Sequence, residues 1–371
     1  MRAGLVLIGP LIPIIKNYYQ LSNTALAFLA GIPLICFAGS SLIMRHVVKI
    51  GPSNLIIRWA ITVLAISLIA RAFTGLMGLY IFSFSMGIAI AVMNYEIPAW
   101  VKEYTPSSAG LITGIYVTIM GAAGAIAVAV SVPLAELNSL SWKMAMIPWM
   151  VIALLSASFW WRKIPNQVNL VEQVALNFWR SKAFKNPLAW ALVFFFGLES
   201  MSFYATATWL PTILTTKDFT LTQAAVSVSI SGLVGSFVGL AVPHYVGKVE
   251  DQRLILVAIS ALSGFSFFMM TLQSGAIIFL WLCLSNIGIS IAFPVALLLC
   301  SAKSDSPEAT RNLSTMMQSL GYVISASGPF FMGALYESSK NWDIALYGIV
   351  GVIILQLAMG VIVGRPSQIE Y

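Results

Sequence analysis

Apolar residues run in long unbroken blocks along this chain, and polar residues collect in short segments between them. A helix crossing a bilayer core needs ~20 mainly apolar residues. Blocks of that kind are predicted at 1–15, 24–44, 54–73, 75–100, 110–134 and 143–161, and again at 187–214, 222–246, 254–272, 276–301, 313–335 and 344–363, twelve spans in all. Strands of a transmembrane barrel would alternate apolar and polar positions over segments of ~10 residues; these blocks do not. Lipid offers no hydrogen bonds to a backbone, so helices remain. The pattern predicts an all-α membrane protein.

Composition agrees. Of 371 residues, 59% are hydrophobic and 9% charged, against ~25% charged in soluble domains. The net charge of +7 reads as the Lys/Arg bias of cytoplasmic loops rather than as a nucleic-acid surface. Fourteen basic residues, from Arg45 and Lys49 to Arg311 and Arg365, fall on one set of alternating loops; five, Lys16, Arg71, Lys143, Lys217 and Lys340, fall on the other. The first set, with both termini, is therefore expected in the cytoplasm, and the chain in a bacterial inner or plasma membrane. No basic leader or A-x-A site precedes the first block, so that span is expected to be retained. Cys36, Cys283 and Cys300 lie far apart inside apolar runs, in no metal or disulfide spacing. No cofactor or metal is expected.

The longest polar segment, 162–186, separates six spans from six. It mixes basic residues with Val171, Val174, Leu176, Phe178 and Trp179, which fits a short helix on the membrane surface or a plain linker. The expected units are 1–161, a linker at 162–186, and 187–371. These halves repeat at an offset near 200: Leu21-Ser22 opposite Leu221-Thr222, His46 opposite His244, Lys49 opposite Lys248, Leu55 opposite Leu254, and Glu136 opposite Glu337. Both halves run in the same direction, a parallel repeat of the major facilitator type, whose substrate site lies at mid-depth between the halves. The first span has only 12 residues before Pro13, whereas the seventh has 24 from Pro187 to Pro211. The expectation is a truncated first helix, with a start lying upstream or a genuinely short helix as the two explanations.

An ionisable side chain at bilayer depth normally faces protein or water and tends to be functional. Arg2, Glu96 and Glu199 qualify. Arg2 precedes Pro13, and Glu199 precedes Pro211, by nearly the same distance, so they occupy matching places in spans one and seven. Three readings stand: an anion held bidentately by Arg2; Glu199 pairing with Arg2 or carrying a coupled proton; or Arg2 merely snorkelling to the cytoplasmic side. On span seven, Glu199, Ser202, Thr206 and Trp209 form one helical stripe and Ser200, Tyr204 and Thr208 another. These stripes are either cavity lining or interhelical hydrogen bonds, with Tyr204 and Trp209 the aromatic substrate candidates. Glu96 lies near the cytoplasmic edge, as a structural ion pair or a proton site. Asn94, Asn312, Gln318 and Tyr322 are candidate polar lining. Gly110, Gly114, Gly121, Gly124, Gly321 and Gly328 are expected to allow close helix contact.

Several stretches resemble the CynX/NimT family of major facilitators: Arg2-Ala3-Gly4, Gly9-Pro10-Leu11-Ile12-Pro13, Asn94…Pro98…Lys102, Phe196-Gly197-Leu198-Glu199-Ser200, Tyr204, Trp209-Leu210-Pro211, Ala292-Phe293-Pro294, and Leu313-Ser314…Gln318…Gly321-Tyr322…Gly328-Pro329. The resemblance covers essentially the whole chain. It implies a monomeric carrier for a small anion, such as cyanate, or a small polar heterocycle, such as a 2-nitroimidazole. Three departures matter, the truncated first helix among them, and the last, at Glu199, bears on substrate because it adds a potential charge. The loop from Gly39 to Arg58 lacks the acidic residue of the general facilitator motif, and Glu199 stands where the family more often carries Gln.

The leading expectation is secondary transport by alternating access, with Arg2, Asn94, Glu199, Tyr204, Trp209, Gln318 and Tyr322 contacting substrate and Glu199 or Glu96 coupling protons. A proton-coupled multidrug-type exporter of the same fold is the alternative, followed by a non-transporting receptor. No G-x-x-x-x-G-K-[ST], H-E-x-x-H or G-x-S-x-G element is present, which leaves no sequence support for an ATP-driven pump or a membrane enzyme.

Overall fold

The computed structural model describes residues 1–47, 50–105, 109–137, 141–164, 182–246, 249–304, 307–367 and 369. Fourteen α-helices follow in order: α1 Arg2–Val6, α2 Ile8–Tyr19, α3 Asn23–Ala38, α4 Ser40–Val47, α5 Ser53–Phe73, α6 Gly75–Tyr104, α7 Ala109–Glu136, α8 Ile147–Lys163, α9 Pro187–Thr215, α10 Leu221–Val246, α11 Arg253–Leu272, α12 Ile277–Ala302, α13 Pro307–Ser339 and α14 Trp342–Val363. Most of the predicted linker, 165–181, with its interspersed apolar residues, lies outside the described residues.

Nine of these helices are long and apolar enough to cross a membrane, among the described residues: α5–α12 and α14. The other three predicted spans differ for physical reasons. Span one is split into α1 and α2 at Leu7, where Pro10 has no amide hydrogen to offer the preceding turn. Span two is split at Gly39, leaving α3 with 16 residues. Span eleven, α13, is 33 residues long and rich in Ser, Thr, Gln and Asn. A helix that polar stays in a bilayer only if its polar side is covered by protein, and α13 packs between α9 and α3.

The parallel repeat is visible in the packing. Helix α1 packs on α7 as α9 packs on α13; α5 packs on α6 and α8 as α11 packs on α12 and α14; α3 packs on α6 as α10 packs on α12. The two halves meet along α3–α13, its counterpart α7–α10, and between α2 and α9. Small residues allow these approaches: a Cβ on Gly9 would overlap the Ala207 carbonyl oxygen, and one on Gly31 would press on that of Ala326.

Helix starts correct the register of the repeat in one loop. Ser22 caps α3 by accepting the Ala25 amide at 3.1 Å. The matching residue is Thr220, whose hydroxyl accepts the Gln223 amide at 3.2 Å while Gln223 accepts the Thr220 amide at 2.9 Å, a reciprocal capping box. The offset here is 198, as for His46 and His244, not the 200 implied by Leu21 and Leu221. The connections at 20–22, 216–220 and 340–341 share the end predicted to face outward, called the outer end.

Candidate substrate chamber

Helix α1 delivers Arg2 to the middle of the bundle. On one side its aliphatic stem lies against Gly124 of α7, where any side chain would crowd it. On the other side the guanidinium sits over the Phe203 ring of α9, 4.8 Å from its centroid, a cation–π contact strengthened by exclusion of water. Four residues before Phe203 on α9, Glu199 is buried, with 2% of its surface exposed, and Ser200 donates its hydroxyl to Oε2 at 2.9 Å. Among the described residues, neither Arg2 nor Glu199 forms an ion pair.

The charge of Arg2 acts on four groups: Tyr116 of α7, Glu199 and Tyr204 of α9, and Tyr322 of α13. The phenols of Tyr204 and Tyr322 lie near each other across α9 and α13. Edge contacts hold the Tyr322 ring, with Phe196 of α9 at 5.3 Å and Phe37 of α3 at 5.4 Å. Residues from α1, α3, α7, α9 and α13 thus converge on one region that both halves build. A guanidinium with no counter-ion among the described residues, beside a carboxyl group and three phenols, can hold a small planar ligand by charge, by hydrogen bonds and by ring faces.

A family model described as the Major Facilitator Superfamily matches residues 1–329. The chain belongs to the major facilitator superfamily. The 2-nitroimidazole transporter of Escherichia coli (strain K12) is 28% identical over 368 residues, covering 98% of this chain and 92% of its own length. The cyanate transport protein CynX of the same organism is 23% identical, covering 96% and 93%. A crystal structure of a bacterial homologue of the human lysosomal transporter Spinster, inward-facing and occupied, superposes with a TM-score of 0.79 at 12% identity, over 98% of this chain and 92% of that one. That last likeness bears on fold alone. The resemblance drawn from the motifs is thereby borne out at the level of superfamily and relatives.

Within this facilitator the expected site residues fall into two groups. Arg2, Glu199, Tyr204 and Tyr322 come together. Gln318, one turn from Tyr322 on α13, is half-buried and donates Nε2 to Ser314 Oγ at 3.0 Å. The others lie elsewhere. Trp209 is completely buried, donates its indole N–H to the Pro329 carbonyl at 2.8 Å and packs on Trp342 at 5.1 Å. It belongs to the outer aromatic cluster beside a cavity of about 190 Å³ that Lys16 and Tyr336 also line. Asn94 is exposed on α6, apart from these contacts. Glu96 is fully buried, one turn from Trp100, which donates to Asn54, which in turn donates to Tyr104 at 2.9 Å; this polar group joins α5 to α6 near their predicted cytoplasmic ends. The stripe hydroxyls on α9 are local: Ser202 donates to Leu198, Thr206 to Ser202 and Thr208 to Tyr204, all backbone carbonyls. Ser202, Thr206 and Thr208 thus bond within α9, whereas Trp209 of the same stripes bonds across to α13.

Three residues escaped the sequence reading. Phe203 resembles every other phenylalanine of its span. Tyr116 is a lone tyrosine in an apolar helix; its phenol oxygen is buried with no hydrogen-bond partner among the described residues. Arg71, expected in an outer loop, is instead 2% exposed and donates Nη1 to the Gly4 carbonyl at 2.9 Å. The helix interruption after Leu7 leaves that carbonyl open, and Arg71 fixes α1 two residues from Arg2.

Proposed function

We propose that this facilitator is a secondary active transporter, carrying a small anion or a small polar heterocycle across a bacterial inner membrane by alternating access. In this reading the halves 1–161 and 187–371 rock about their seams, with both termini in the cytoplasm. One observation carries the substrate class: the Arg2 guanidinium lies on the face of Phe203, midway along α9, with no carboxylate paired to it among the described residues. An uncompensated cation in a low-dielectric site favours an incoming anion or the electron-rich edge of a polar ring. The relatives named for 2-nitroimidazole and cyanate fit both classes.

Glu199 supports a second reading within the same fold. A buried carboxyl group that, among the described residues, accepts from Ser200 alone can take up and release a proton as the transporter changes sides. Proton coupling would then drive the solute, in the manner of a multidrug-type exporter. An uptake screen in sealed proteoliposomes separates the readings, using cyanate, nitrate, 2-nitroimidazole and small carboxylates with and without an imposed pH gradient. Accumulation of one of these solutes by the wild-type protein, lost in Arg2→Ala, supports the anion or heterocycle carrier. Transport that needs the pH gradient and survives Arg2→Ala but not Glu199→Gln favours the second reading.

A further inference from the structure

Glu337 occupies the last turn of α13, where a carboxylate faces the negative end of its own helix dipole and is disfavoured. Its bonds go to another helix. Oε1 accepts the backbone amide of Thr24 at 3.0 Å, and Oε2 accepts the Thr24 hydroxyl. Thr24 is the second residue of α3, so its amide is one of the donors that a helix start leaves without an internal partner. Ser22 takes up the next amide, that of Ala25. A carboxylate 313 positions away in the chain, from the other half, thus completes the cap of α3.

Nearby packing is as close. Gly333, one turn before Glu337, lies against Ala27 and the Asn23 carbonyl of α3. The repeat supplies its own control. The position matching Glu337 is Glu136, at the end of α7, and the position matching Thr24 is Thr222, near the start of α10. There Glu136 is exposed, and α10 is capped by its own Gln223.

We propose that Glu337 is the outer gating residue of this transporter: its carboxylate, seated on the start of α3, holds the outer end shut, and this contact breaks each time the protein opens outward. The inference rests on the alternating-access reading and adds to it a residue, a side of the protein and a bond.

The test uses the full chain in lipid nanodiscs, with its three cysteines replaced by alanine and nitroxides at Gln20→Cys and Ser338→Cys, two exposed outer positions in opposite halves. Distances between the labels are read by double electron–electron resonance, with and without cyanate or 2-nitroimidazole. Wild type should show a dominant short distance and a minor long one. Glu337→Ala should raise the ratio of long to short about tenfold, as expected for losing a hydrogen bond to a charged acceptor. Thr24→Val, which keeps the amide donor, should raise it less, and Glu136→Ala should leave it unchanged. If Glu337→Ala does not fold, the isosteric Glu337→Gln reads the same contact and should still increase the long distance. The latch is overturned if the wild type populates a long distance while the Glu337 variants match it. If wild type and variants alike stay at one short distance under every condition, the latch and alternating access fall together.

Discussion

Along α3 and α13 the halves are tied at the aqueous end by a carboxylate with both oxygens engaged, whereas along α7 and α10, among the described residues, Ser229 donates to the Ala125 carbonyl at 2.6 Å. The repeat makes these seams equivalent, yet they differ in two ways. One is packing: a Cβ at Gly31 would approach the Ala326 carbonyl to 3.2 Å, while at the matching pair the Ser229 side chain lies on the Ala125 carbonyl and donates to it. The other is capping. Gln223 lets α10 satisfy its own start, whereas the matching position in α3 is Ala25, which has no acceptor to offer. The duplicated fold is asymmetric at its outer end: Glu337 ties α13 to the start of α3, while the matching Glu136 is exposed.

The largest effect that would test this contrast is steric. Gly31→Val should destabilise the protein by about 1–3 kcal/mol through overpacking, and Gly121→Val, where a Cβ meets the Ser236 hydroxyl at 3.6 Å, should cost less, both read by thermal unfolding in one detergent. Comparable losses would erase the distinction between the seams.

Acid is the next probe. The Thr24 hydroxyl, and then its amide, hold the Glu337 carboxyl below the ordinary carboxylate range, with Lys340 acting in the same direction. A depressed value in the closed form means that closure is fully supported above about 4.3, the ordinary glutamate value, and is lost as the pH falls through the lowered one. The label distance between positions 20 and 338 should therefore stay constant from neutral pH to about 5 and lengthen below about 4. Glu337→Gln should lose that dependence. An unchanged pH profile in Glu337→Gln would assign the transition to another group.

Smaller still is the capping box. Gln223→Ala should cost roughly 0.5–1 kcal/mol of stability without moving the outer label distance, because α10 is not latched. Smallest is Glu136→Ala, an exposed change expected to stay within about 0.5 kcal/mol of wild type. A measurable opening in either variant would mean that the second seam carries a latch of its own.

How much of this could be read from residues alone depends on whether the cause is local. Helices such as α5, α9 and α14 are uninterrupted apolar runs, and any window of the chain reveals them. Helix α13 was read in the same way, as the block at 313–335, although its Ser, Thr, Gln and Asn residues make it less apolar than its neighbours. Arg2 and Glu199 stood out because charge inside a hydrophobic block is costly and needs a reason. Phe203 and Tyr116 gave no such signal, since an aromatic ring in an apolar helix costs nothing until a guanidinium lies on it. Arg71 was misplaced because a residue near a helix end looks like a loop residue until contacts with other helices, here Gly4 of α1 and Met86 of α6, bury it. The Glu136–Glu337 match was visible, but the partner of Glu337 is the start of a helix in the other half, and no local pattern points there.

The account rests most heavily on Arg2 as the group that holds the transported solute at mid-depth. Counterflow in sealed proteoliposomes tests this directly: vesicles are preloaded with cyanate or 2-nitroimidazole, labelled solute is added outside, and wild type, Arg2→Lys and Arg2→Ala are compared at equal insertion. Labelled solute should accumulate transiently with wild type, more weakly with Arg2→Lys, and fall at least about tenfold with Arg2→Ala. Exchange by Arg2→Ala at the wild-type rate would contradict the central claim.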